Sequence, residues 1–124
     1  MKARRERLAR ALSLSNKLWR LQTMRLAQIE TILADLRDQE RTALEALERN
    51  FADPILILKR LQILTQRRVE AEDARCAQLA RVREQGRRAK QTERLFERVD
   101  NLWRRDQAAE ELRRLSERDD VRAP

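Results

Sequence analysis

Between Ala3 and Arg118 the chain carries one proline, Pro54, and one glycine, Gly86. A chain with so few turn formers has few places to reverse, so a sheet built from short strands is out of reach. Composition points the same way. Phe, Trp and Tyr together make 3% of the 124 residues while charged residues make 40%, and the 41% of hydrophobic residues is mostly Leu and Ala. Aromatic strand formers are scarce and helix formers abundant, which excludes a globular β or α/β protein and leaves long helices. The sequence therefore predicts an all-α protein in a single unit.

Several chemistries are excluded at the same level. There is no His, a single Cys76, no Gly-rich loop and no 18-residue apolar run, which removes a histidine base, a zinc site, a phosphate-binding loop and a membrane span. Paired carboxylates such as Glu72-Asp73 and Glu110-Glu111 read as surface charges, because an open helical rod gives them no water-poor pocket. No catalytic residue, cofactor or metal is expected. Cys76 has no partner for an internal disulfide, and the basic start from Met1 to Arg5 lacks the apolar core of a secretory signal, so the chain reads as cytoplasmic.

The segment Asn50-Phe51-Ala52-Asp53-Pro54 is the one break. Asp53 reads as an N-cap and Pro54 as the first helical residue, where the missing N–H is harmless. This predicts helix 1 over about 3–50, a turn at 51–54, helix 2 over about 55–118 and a frayed tail at 119–124. At 1.5 Å per residue the first helix would span roughly 70 Å, too long to stand without a partner stripe. It has one, at Leu26, Ile29, Leu33, Leu36, Ala43 and Leu47, interrupted by Glu40 and continued upstream through Leu8, Leu12, Ser15, Trp19 and Gln22. The 3-4 spacing is that of a coiled-coil seam. In the second helix Ile57, Leu61 and Leu64 begin a seam, and Leu95, Val99, Leu102, Ala109 and Leu112 resume it. Between Thr65 and Gln91 the candidates Ala71, Cys76, Leu79, Val82, Gly86 and Ala89 do not keep one register. A short connection makes the antiparallel coiled-coil hairpin the expected fold. Residues whose numbers add to about 105 should then pair, placing the first residues near Trp103.

Charge is unevenly spread. Residues 1–25 carry eight basic and one acidic side chain, residues 81–105 nine and four, while the chain as a whole has a net charge of +8. The two segments paired by the hairpin thus make a cationic end that attracts acidic partners. No base-reading helix ahead of a zipper and no aromatic stacking platform is present, so no specific nucleic acid is expected and a protein partner is favoured. A solvated coiled-coil surface with weak i,i+4 pairs is the alternative reading. Past the turn, Ile55, Leu56 and Ile63 lie off the face of Ile57, Leu61 and Leu64, so a two-helix hairpin leaves them as an apolar patch for a partner, a second copy or a third segment.

The run Leu18-Trp19-Arg20-Leu21-Gln22 followed by Arg25-Leu26-Ala27-Gln28-Ile29-Glu30 resembles the opening helix of the FliJ/YscO-type export stalk proteins of flagellar and injectisome type III secretion systems. The charged segments Lys90 to Arg98 and Arg104 to Leu112 are similar to that family's second helix. The resemblance implies a small cytoplasmic antiparallel coiled coil that couples the hexameric export ATPase to the export gate, and that also contacts substrate chaperones. Carried onto this chain, Arg4, Arg5, Arg7, Arg10, Arg87 and Arg88 would approach the ATPase. The gate would take the corner at Ile55, Leu56 and Ile63 or the acidic face near Asp35 and Asp38. Any association with the membrane would run through those partners. The ending from Leu115 to Asp120 departs from the family's usual close. A generic antiparallel coiled-coil adaptor and an Arg-rich RNA-associated protein are the alternatives, and flagellum against injectisome and monomer against dimer stay open.

Overall fold

A computed structural model describes residues 1–50 and 53–122. Two helices account for almost all of them: α1 over Lys2–Glu48 and α2 over Pro54–Arg122, packed against each other as an antiparallel hairpin, with no strand among the described residues. Asn50 closes α1 in the left-handed region at φ 55°, a conformation Asn tolerates better than most residues. Its N–H reaches the Leu47 carbonyl at 3.4 Å. Asp53 caps α2, its Oδ1 accepting from the Ile55 N–H at 3.0 Å, which satisfies one of the donors a helix start leaves open. Phe51 and Ala52 of the expected turn lie outside the described residues. So do Ala123 and Pro124 of the expected tail, while 119–122 continue α2; with no Gly or Pro before Pro124, nothing stops the helix at 118.

The contacts divide the chain into two compact units, Trp19–Gln85 and Met1–Leu18 with Gly86–Pro124. In the first, hereafter the turn unit, α1 presents Trp19, Gln22, Leu26, Ile29, Leu33, Leu36, Glu40, Ala43 and Leu47 as its buried or half-buried row. The α2 row is Ile57, Leu61, Leu64, Arg68, Ala71, Arg75, Gln78, Val82 and Gln85. Both count off in alternating steps of three and four, so the segment from Thr65 onward does keep one register. Its polar members hide that register from a purely apolar count. Cys76, a candidate for the seam, is exposed, and Arg75 and Gln78 take the positions around it. Leu64, 1% exposed, is the most deeply buried side chain here, and its burial contributes about 1.5–3 kcal/mol.

In the second, the terminal unit, Arg5, Leu8, Leu12 and Ser15 of α1 are half-buried, and α2 contributes Gly86, Ala89, Thr92, Phe96, Val99, Asp100 and Trp103. Of the expected later seam only Val99 is buried. Leu95, Leu102, Ala109 and Leu112 are exposed. The reason is rotational: one position along a helix turns a side chain by 100°, so a row through Phe96 and Trp103 carries Leu95 and Leu102 onto the flank. From Arg104 to Asp119 every side chain is exposed.

Candidate interaction surfaces

Charged side chains fall into two groups, those consumed inside the seam and those left facing water. Arg5 belongs to the first. Its Nε donates to Asp100 Oδ1 at 2.7 Å, and its guanidinium lies 4.2 Å from the Trp103 ring centroid. Asp100, only 8% exposed, also forms an ion pair through Oδ2 with Arg104 Nε at 3.1 Å. The numbers of Arg5 and Asp100 add to 105, the pairing expected from the turn. A residue assigned to the ATPase side is thus already held by an acid and an indole. Sequence reading missed Asp100 because carboxylates are discounted at seam positions; the signal was an Arg at the matching position of α1.

The turn unit repeats the device twice, at Arg68 and Arg75, and adds a neutral pair at Gln78. Arg68 donates from Nε to both Glu40 carboxylate oxygens at 2.9 and 3.0 Å, and from an amino nitrogen to Glu72 at 3.0 Å. Arg37 adds a longer contact to Glu72 at 3.5 Å. The hydrogen bonds with Glu72 and then Glu40 raise the Arg68 guanidinium above its ordinary value. The Arg68 hydrogen bond holds the Glu72 carboxyl below its ordinary value against the opposing effect of burial. Farther along, Arg75 reaches Glu30 at 3.4 Å, another pair adding to 105. Gln78, 3% exposed, donates from Nε2 to the Gln22 carbonyl at 2.9 Å and to Gln22 Oε1 at 2.7 Å. Glu40, Arg68, Arg75 and Gln78 therefore mark register with directional bonds where Leu would only fill space.

The second group forms the surfaces a partner would meet. In the terminal unit Arg4, Arg7 and Arg10 are exposed along α1, and Arg87 and Arg88 are exposed on α2. Not anticipated is the row they lead into: Lys90, Arg94 and Arg98 are also exposed. At 100° per residue Arg87, Lys90, Arg94 and Arg98 fall within one 80° arc. That arc lies opposite the side carrying Phe96 and Trp103, and Glu93 and Glu97 lie outside it. One face of a single helix thus presents four cations over about 17 Å, a spacing that suits an extended acidic surface.

The turn unit offers different chemistry. Ile55 and Leu56 are each 62% exposed, and Leu58, Ile63 and Leu44 are exposed as well, so more apolar side chains near the turn face solvent than the three expected. Asp35 and Asp38 line a shallow groove with Thr42, Ala43, Ala46, Arg60 and Leu64. Both are exposed, but each has a local partner, Gln39 Nε2 for Asp35 at 2.9 Å and Arg41 for Asp38. As a binding element the acidic pair is therefore weaker than its formal charge implies, and the apolar cluster is the more available surface. The described helices include none long and apolar enough to cross a membrane.

No protein-family model matches the chain, and no match was found among curated proteins or solved structures.

Proposed function

We propose that this chain is a non-enzymatic coiled-coil accessory of a type III export apparatus, flagellar or injectisome, in which it links the export ATPase to the export gate or to chaperones. The observation that carries the reading is a row of exposed cations in the terminal unit together with exposed apolar side chains just past the turn. The terminal unit exposes the cations Arg4, Arg7, Arg10, Arg87, Arg88, Lys90, Arg94 and Arg98, whereas the turn unit exposes the apolar side chains of Ile55, Leu56 and Ile63. Two surfaces of unlike chemistry suit a linker better than a protein with one partner. The arginine-rich face is assigned to the ATPase, whose complementary surface would be acidic, and Arg5 supports that face by holding Trp103 and Asp100 in place. The apolar cluster is assigned to the gate. The resemblance of Leu18 to Glu30 to the export stalk proteins supports the same assignment.

The test is to mix the purified protein with the export ATPase encoded by the same genome and follow ATP hydrolysis and ATPase oligomerisation. Stimulation that is lost when Arg4, Arg7 and Arg10 are changed to Glu is the expected result. Absence of any response removes the export reading and leaves a general coiled-coil adaptor. Retention on polyanions, with binding that weakens steeply and linearly in log salt, would instead favour the RNA-associated alternative.

A further inference from the structure

Two leucines of α2 in the terminal unit lie off the hairpin seam without being scattered. Leu95 and Leu102 are 45% and 48% exposed, and Arg98 and Arg105, exposed as well, join them in steps of three, four and three. At 100° per residue the four fall within one arc of about 80°. No Asp or Glu falls inside that arc between Arg87 and Leu112. This is the spacing of a second seam on α2, set to one side of the row through Phe96, Val99 and Trp103.

Arginines in seam positions have one consistent use in this chain. Each of the three in the hairpin seam of the described residues is closed by a carboxylate of the other helix: Arg5 by Asp100, Arg68 by Glu40 and Arg75 by Glu30. Arg98 and Arg105 have no acidic partner among the described residues. Their own helix cannot supply one, because the positions three and four away from each, on both sides, hold only Arg, Leu, Asn and Ala, so no i,i+3 or i,i+4 ion pair is open to them. By contrast Arg104 reaches Asp100 and Arg114 reaches Glu110 within α2.

We infer that the row from Leu95 to Arg105 is a docking seam for an acidic amphipathic helix of a partner protein. That helix sets apolar side chains against Leu95 and Leu102 and a carboxylate against each of Arg98 and Arg105. Its signature is two apolar residues seven positions apart, alternating in steps of three and four with Asp or Glu, in either chain direction. Leucines at heptad spacing are what a helix covers. A phosphate backbone gains nothing from them, and a lipid surface needs an apolar stripe broader than this one. Arg98 belongs to the surface assigned above to the ATPase, but the inference does not require the partner to be an ATPase.

The probe is a labelled synthetic peptide of about four heptads with Leu and Glu alternating at its seam positions, titrated with the full chain and followed by fluorescence anisotropy. The wild type should bind it, and should bind the same peptide with Lys in place of the seam Glu at least about tenfold more weakly. Arg98→Glu with Arg105→Glu should reverse that preference. Leu95→Ser with Leu102→Ser should weaken binding of the Glu peptide by at least about tenfold as well. Circular dichroism should be the same for all three chains, since the substituted side chains are exposed. A wild type that does not bind the Glu peptide overturns the proposal, as does equal binding of the Lys peptide. So does a serine variant that binds like the wild type, because the face would then read charge alone. Tighter binding of a single-stranded oligonucleotide would give the face to nucleic acid, and self-association abolished by the serine substitutions would give it to a second copy; either result also overturns it. The ATPase assay with the Arg4, Arg7 and Arg10 variant is read separately, so a silent peptide beside an intact ATPase response removes this inference alone.

Discussion

Arginine occupies both units but is used differently in each. In the turn unit Arg68 and Arg75 sit in the buried row of α2 and are matched by Glu40, Glu72 and Glu30. In the terminal unit one arginine of α1, Arg5, is treated this way, while Arg4, Arg7 and Arg10 of α1 and Arg94 and Arg98 of α2 remain exposed. The difference teaches that position in the 3-4 count, and not residue type, decides whether a guanidinium specifies the fold or is offered to a partner. At a seam position it is partly stripped of water and needs a carboxylate; one turn of 100° away it stays solvated and contributes little to stability.

Mutations can break this contrast. The largest effect is expected from a seam residue that carries no charge. Leu64→Ala should cost about 2–5 kcal/mol in denaturant unfolding, because the site loses apolar contact and leaves a void. Next, Asp100→Ala should cost about 1–3 kcal/mol, since Arg5 keeps its place in the seam without its acceptor. The double variant Asp100→Leu with Arg5→Met should recover most of that loss, and failure to do so would mean that the pair does more than satisfy itself. Gln78→Ala should cost about 1 kcal/mol by removing two bonds to Gln22. For contrast, Arg94→Glu with Arg98→Glu should leave the thermal midpoint nearly unchanged while weakening binding to an acidic partner; an equal loss in both would place these arginines in the structural group.

The smallest effect concerns acid. Glu72 is held below its ordinary value of 4.5, so its contribution is present above that pH and is lost as pH falls through the lower folded value. The difference in melting temperature between wild type and Glu72→Gln should therefore be constant near neutrality and shrink toward zero on acidification. A difference that grows in acid would reverse the assigned sign.

Much of this was legible in the residues themselves. The rarity of Pro and Gly announced two long helices, Asp53-Pro54 announced the start of the second, and the row from Leu26 to Leu47 announced the seam of the first. The pairing sum near 105 was read from the turn, and the pairs Arg5 with Asp100 and Glu30 with Arg75 found in the structure obey it. The later half of α2 was not legible, because Leu95, Leu102 and Leu112 make a plausible apolar row of their own and outscore the true one through Thr92, Phe96 and Trp103. Among the site residues, the exposure of Ile55, Leu56 and Ile63 was readable from their angular separation. The engagement of Arg5, and the local partners of Asp35 and Asp38, were not.

By itself, then, the sequence determined the class of structure, the point of reversal and the uneven spread of charge, since these depend on backbone propensity and on simple counts along the chain. Which side of α2 meets α1, and hence which arginines are closed into pairs and which are left for partners, was decided only by tertiary packing. The physical reason is that a polar side chain is tolerated in a seam when its partner stands opposite, and that partner lies up to 95 residues away in the chain, beyond the reach of any local pattern.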